Sequence, residues 1–259
     1  MSNSDSGISR RSFIATSTVA AAAGALAATA PPEAAAKGAN ASLGEASALQ
    51  GASVSLIVNA MHDLKMDAEK QVMSLAIRPL VLPGKRTVIG RAVTTKWVAG
   101  TERMTAETAR KYVFDPIDQG KPGSMWVVAG GTDGIYSLWG DIVGAACKRN
   151  GFVGAVTDSG CRDIAGMAEI GFPVFAKSAV PYGPGGFIHP VAANEPVVCG
   201  GVMVRPGDLV AADGDGVIVI PIERAVEVAK ATAAHGSREA DMRRKLRAGA
   251  SLADTYKIS

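Results

Sequence analysis

Three charged side chains fall within six residues in the stretch VTDSGCRDI (156–164): Asp158, Arg162 and Asp163. Carboxylates and a guanidinium so spaced can hold a divalent cation beside an anionic substrate. A hard cation takes oxygen ligands, and a guanidinium grips a carboxylate or oxyanion. The same residues can equally form a solvated turn with an ordinary Arg–Asp surface pair. A fourth charge bears on the choice. Asp141 opens the run DIVGAACKRN (141–150), 21 and 22 residues before Arg162 and Asp163. It reads either as the cap of a helix beginning after Gly140, or as a carboxylate that positions a water while the helix's free N–H groups bind a substrate carboxylate.

These residues meet only if the elements between them form a parallel βαβ unit. SMWVVAGG (124–131) reads as a buried strand, TDGIYSLWG (132–140) as a loop, and 141–150 as a helix stopped at Asn150-Gly151. GFVGAVTD (151–158) is the next strand, CRDIAGMAEIG (161–171) a short helix and FPVFAKSA (172–179) a third strand. In such a unit both loops leave the sheet at the carboxyl ends of its strands, so Asp141, Arg162 and Asp163 can converge there.

Other candidates are weaker. The loop GGTDG (130–134) can let backbone amides approach an anion, or it is a plain βα connection; it is neither GxGxxG nor a P-loop. DGDG (213–216) fails the calcium-loop pattern, because Val217 and Arg224 occupy its fifth and twelfth positions, and reads as a hairpin turn. Cys147, Cys161 and Cys199 are odd in number and lack a CxxC, which argues against a disulfide framework. Cys161 reads as a small residue packed in a turn, since no nearby histidine would activate it. The three histidines, His62, His189 and His235, are far apart, which argues against a histidine-rich zinc site. A net charge of +3 without a long basic block gives no nucleic-acid surface.

The first residues carry an address. Arg10-Arg11-Ser12-Phe13-Ile14 precedes an alanine-rich stretch from Ala15 to Ala30, the pattern of a twin-arginine export signal, with Ala34-Ala35-Ala36 as the better cleavage site. The reading is a signal over 1–36, a linker over 37–49 and one α/β domain with mixed strands over 50–257; mature protein is expected in the periplasm, with the cytoplasm as the alternative. Elsewhere the periodicity predicts a helix in 45–66, strand–turn–strand over 76–98, and a helix giving way to loop in 102–120. A glycine- and proline-rich excursion over 182–197, three strands over 197–221 and a charged helix from Ile222 to about Leu246 complete the chain.

The segments GRAV (90–93), GDIVGAACKRNGFVGAVTDSGCRDI (140–164), CGGVMVRPGDLVAADGDGVIVIP (199–221) and READMRRKLRAG (238–249) resemble, in this order, the RraA-like proteins. That family includes class II pyruvate aldolases acting on 4-hydroxy-4-methyl-2-oxoglutarate and 4-carboxy-4-hydroxy-2-oxoadipate. The resemblance spans roughly residues 50–257. It implies a compact β/β/α sandwich, a homotrimer or dimer of trimers with sites between subunits, and cleavage of a 4-hydroxy-2-oxo dicarboxylic or tricarboxylic acid to pyruvate plus a 2-oxo acid, with oxaloacetate decarboxylation as a side activity. By resemblance, Asp163 is the protein ligand of Mg²⁺ or Mn²⁺ and Arg162 stabilises the enolate. The amides of Gly140, Asp141, Ile142 and Val143 cradle the substrate carboxylate, Asp141 positions a water, and Glu239 acts across a subunit interface. The rival is the family's non-catalytic regulator of RNA degradation, which lacks the aspartate after the arginine that this chain keeps at 163. No glycine-rich fingerprint supports the methyltransferase role once given to some members.

Overall fold

The computed structural model of the protein describes residues 49–132 and 134–257. The export signal expected over 1–36, its cleavage after Ala36 and all but the last residue of the linker lie outside the described residues.

Helix α1 (Val54–Asp63) starts later than residue 45, at Ser53, whose side chain accepts the amide of Leu56. Strands β1 (Arg78–Val81) and β2 (Val88–Ala99) follow, separated by the Pro83–Gly84 turn in which Gly84 takes φ 70°. They do not pair with each other: β1 joins a later strand, and β2 joins β3 (Ser124–Ala129). The loop expected within 102–120 is instead helical through α2 (Ala106–Ala109), a π-helical turn (Arg110–Phe114) and α3 (Asp115–Asp118). Asp115-Pro116 resembles a helix breaker in sequence. Here Pro116 lies in the first turn of α3, where its missing N–H is tolerated, and Val113 and Ile117 anchor the segment in the core.

The βαβ run forms as expected, with α4 (Asp141–Arg149), β4 (Gly154–Thr157), the two-residue β5 (Gly160–Cys161), α5 (Ile164–Ile170), β6 (Val174–Ala176) and β7 (Ser178–Ala179). The excursion over 182–197 hides a strand, β8 (Ile188–Ala193), paired antiparallel with the far half of β2. Its Pro190 argues against a strand in sequence, but β8 pairs on one side only, where proline is tolerated. The three strands expected over 197–221 are four: β9 (Val197–Cys199), β10 (Val202–Val204), β11 (Leu209–Ala212) and β12 (Val217–Ile220). The missed turn is Gly200-Gly201, where both residues take positive φ (58° and 85°), as a two-residue hairpin of this kind requires. Helices α6 (Ala225–Arg247) and α7 (Leu252–Tyr256) close the fold.

The main sheet runs β1-β6-β4-β3-β2-β11-β12, with β6, β4, β3 and β2 parallel and antiparallel strands outside them. Side chains of β3 alternate between two cores. Trp126 and Val128 face the helices with Cys147 and Phe172, while Met125 and Val127 face the β9–β10 hairpin with Val197 and Val204. That division produces the expected hairpin/sheet/helix layering. Each fully buried side chain of this size contributes on the order of 1.5–3 kcal/mol. A third cluster packs α1 and α6 on β11 and β12 through Ile57, Met61 and Val228. The described residues form one domain.

Candidate active site at the carboxyl edge of the parallel strands

Backbone hydrogen bonds bring the two motifs together. The loop after β3 is stitched to the loop after β4: Tyr136 C=O accepts from Gly160 N–H (2.9 Å), Gly160 C=O from Leu138 N–H (3.2 Å), and Trp139 C=O from Arg162 N–H (3.4 Å). A Cβ at 160 would lie 2.8 Å from Val180 Cγ2 and 3.0 Å from the carbonyls of Gly134 and Tyr136, so the loops would have to shift to admit a side chain there. Positions 140 and 162–163 are therefore set by main chain, independent of flexible side chains.

Asp163 starts α5 with φ 57° and ψ 41°, a left-handed conformation disfavoured for most residues by roughly 1–2 kcal/mol and tolerated best by Gly, Asn and Asp. Its side chain makes no capping bond to the helix. Instead its Oδ2 lies 3.3 Å from Arg162 Nε and occupies the space that a Cβ on residue 140 would fill, 2.1 Å away. Gly140 thus keeps open the contact among Gly140, Arg162 and Asp163. On its other side the guanidinium passes close to Gly183, where an added Cβ would stand 3.3 Å from Nη1. Both charged side chains remain close to half exposed.

Gly140 is also the N-cap of α4, with extended backbone and no side-chain cap. Asp141 is the first helical residue and not the cap, which settles its local role against the capping reading. The first-turn amides, borne by Asp141, Ile142 and Val143, have no carbonyl within the helix to bond and point out of its N-terminus, favouring an anion there. The carboxylate of Asp141 lies against Gly166 of α5, 2.6 Å from where a Cβ would sit, so the two helices approach closely beside the site. Ile142 is exposed to solvent and Val143 borders a pocket.

Asp158 behaves otherwise. It is buried, and its Oδ1 accepts the amides of Gly130 (2.8 Å) and Gly131 (3.0 Å) while Oδ2 accepts that of Gly200 (3.2 Å). The GGTDG loop does cradle a carboxylate, but the carboxylate is the chain's own. Asp213 has a similar task in the DGDG hairpin, tying the amides of Val54 (2.8 Å) and Asp215 (2.9 Å) and the hydroxyl of Thr87 (3.0 Å). Cys161 is buried with its Sγ against the carbonyls of Trp139 and Arg162, and burial pushes its thiol up to about 12. It has the packing role read from sequence.

A pocket of about 210 Å³ opens beside Arg162 and Gly140. Its walls come from Trp97 on β2, Met104, Phe114 of the π-helical turn, and Leu138, Trp139 and Val143. Sequence reasoning missed Trp97, Met104 and Phe114. A π-turn, which re-aims side chains and recurs at functional sites, has no sequence pattern that would have revealed them. Glu239 lies elsewhere in the chain. It sits on α6, bonded to Arg243 (2.6 Å) and 3.6 Å from His235, beside a second pocket with Arg238 and Met242.

The residues suit a divalent cation that draws a single protein ligand. Among the described residues no cluster of three or more His, Cys, Asp or Glu side chains could chelate a metal alone. Asp163 offers a hard oxygen donor, half exposed, uncommitted to its helix and seated in the cradle left by Gly140.

The family model described as RraA-like, Aldolase/RraA, matches residues 54–219. Protein DlpA of Legionella pneumophila is 30% identical over 181 residues, covering 69% of this chain and 28% of that protein. A protein of Halalkalibacterium halodurans, provisionally named a 4-hydroxy-4-methyl-2-oxoglutarate aldolase, is 35% identical over 114 residues, covering 42% of this chain and 51% of its own length. The matches thus span between about a quarter and about half of these two relatives. Among solved structures, RraAS2 of Streptomyces coelicolor, described as an unusual member of the RNase ES inhibitor RraA protein family, superposes with a TM-score of 0.66 at 26% identity, over 78% of this chain and 96% of that one.

Proposed function

Because the chain belongs to the RraA-like family, we propose that it is a divalent-metal-dependent carbon–carbon lyase that releases pyruvate from a 4-hydroxy-2-oxo acid. The observation that carries this reading is Asp163, a carboxylate in a left-handed conformation, unclaimed by its own helix and set beside Arg162. Strain of this kind concentrates where a side chain must be aimed.

Arg162 binds the keto oxygen of the substrate and stabilises the negative charge that gathers there when the C3–C4 bond breaks. The first-turn amides at Gly140–Val143 hold the adjoining carboxylate. Asp163 is the protein ligand for Mg²⁺ or Mn²⁺, which when bound supplies Lewis-acid polarisation of the 2-oxo group. Asp141 orients a water that takes the proton of the 4-hydroxyl. Glu239 joins this proton path only from a neighbouring copy, which makes a homotrimer or dimer of trimers part of the proposal. Oxaloacetate yields the same enolate on losing CO₂ and is the convenient substrate. The twin-arginine motif supports a periplasmic address.

Purified mature protein incubated with oxaloacetate and Mg²⁺ or Mn²⁺ should form pyruvate, and a chelator should stop it. Metal-independent turnover, or no turnover of any 2-oxo acid, sinks the reading. The second outcome would favour the other role in the family, binding to an RNA-degrading enzyme, which the description of the Streptomyces relative keeps in view.

A further inference from the structure

The pocket beside Arg162 is poorly made for a second carboxylate. Among the described residues lining it, Arg162 is the one ionisable side chain. It lies between Gly140 and Gly183, pairs with Asp163, and is committed by the proposed chemistry to the keto oxygen. The remaining walls are mostly apolar, from Met104, Phe114, Leu138, Val143 and two indole rings, and the Ser137 hydroxyl there donates to the carbonyl of Trp139. A carboxylate placed there would lose its hydration without gaining a partner.

The two indoles add a second observation. Trp97 and Trp139 are each only 4% exposed, and their Nε1 atoms have no hydrogen-bond partner among the described residues. The third indole, Trp126, donates to Thr95 Oγ1 at 3.0 Å, as a buried indole normally does. With both nitrogens sealed from solvent, what these rings contribute to the pocket wall is apolar ring surface.

We infer that the pocket receives an uncharged distal group, aromatic or branched aliphatic, of a 4-hydroxy-2-oxo acid, in place of the second or third carboxylate that the family resemblance implies. The inference rests on the proposed enolate chemistry for which end of the acid lies at Arg162. On cleavage, the C3–C4 bond breaks and its electron pair passes to C3. The 4-hydroxyl proton goes to the base, and C4 leaves as the carbonyl carbon of an aromatic or branched aldehyde or ketone. C3 then takes a proton to give pyruvate.

The test compares three substrates on full-length mature protein with Mn²⁺: oxaloacetate, 4-hydroxy-4-methyl-2-oxoglutarate and 4-hydroxy-2-oxo-4-phenylbutanoate. The expected result is kcat/KM at least tenfold higher for the phenyl acid than for the dicarboxylate. Equal or reversed preference overturns the inference while oxaloacetate turnover leaves the lyase reading standing. A binding arm decides even without turnover. Quenching of tryptophan fluorescence should give a Kd at least tenfold lower for phenylpyruvate than for 2-oxoglutarate, and equal values overturn the inference. Met104→Arg, at a half-exposed position on the pocket wall, should narrow or reverse both preferences by supplying the missing cation; an unchanged ratio counts against the pocket as the distal subsite.

Discussion

Asp158 and Asp163 stand five residues apart in one connection, yet they occupy opposite kinds of site. Around Asp158 the backbone closes: three amides from two loops converge on a buried carboxylate. Around Asp163 the backbone withdraws: the residue is left-handed, its helix takes no bond from the side chain, and a glycine makes room for the oxygen. A carboxylate whose acceptor sites are filled by amides holds the fold together. One with acceptor sites left over can engage a ligand. Sequence shows both as an acid in a turn, and the donors around each tell them apart.

That contrast can be broken or sharpened by substitution. The largest effect is expected for Asp163→Asn, which keeps the left-handed backbone and the side-chain shape. Turnover of oxaloacetate should fall by about a thousandfold or more, or ~4 kcal/mol of barrier, while the thermal midpoint stays near that of the parent. Near-normal turnover would place Asp163 with Asp158 as a structural acid. Asp158→Ala should do the reverse, lowering unfolding free energy in urea by about 3 kcal/mol because buried amides lose their acceptor, with kcat of the folded fraction within a few fold. Full stability in that variant would mean water replaces the carboxylate.

Gly140→Ala probes the open site without touching a charge. Its φ of −128° suits alanine, so backbone strain is not at issue, and the new Cβ must displace the Asp163 carboxylate and the Arg162 guanidinium. Activity should drop on the order of 10- to 100-fold, consistent with a displacement of about 1 Å, with little change in melting. Cys161 should resist a thiol reagent at pH 8 in the native protein and react on unfolding, because burial keeps the thiolate from forming. The smallest effect is expected far from the site. Hydrogen bonds from His235, then Arg238, hold the Asp63 carboxyl below the usual range. This link between α1 and α6 therefore persists above the ordinary carboxylate pKa and is lost only as pH falls below it. Amide exchange in the final turns of α6 should rise slightly at low pH, and Asp63→Asn should abolish that step.

Sequence revealed the charged half of the site because its members sit in two successive βα loops, where strand polarity alone predicts convergence. Gly140, Asp141, Arg162 and Asp163 all lie there as expected. The apolar half was not legible. Trp97, Met104, Phe114 and Gly183 come from four separate stretches, and no local periodicity records a contact over such separations. The errors in the fold have the same origin. Asp115-Pro116 and Pro190 are breakers by local propensity, but core anchoring in one case and a one-sided strand position in the other remove the penalty. At Gly200-Gly201 the valines on either side dominate the pattern and mask the turn.

Strand β2 divides one edge between two partners: β11 takes Val88–Arg91 and β8 takes Thr95–Ala99. Its two halves thereby answer to different neighbours. The first pairs with β11, and β3 takes over on the opposite edge from Arg91 onward. The second carries Trp97 and pairs with β8, which follows the loop bearing Gly183 and Pro184 of the pocket wall, so a change of length in that loop would reach the pocket without altering the register with β11. One strand thus joins a part that anchors the sheet to a part that borders the pocket.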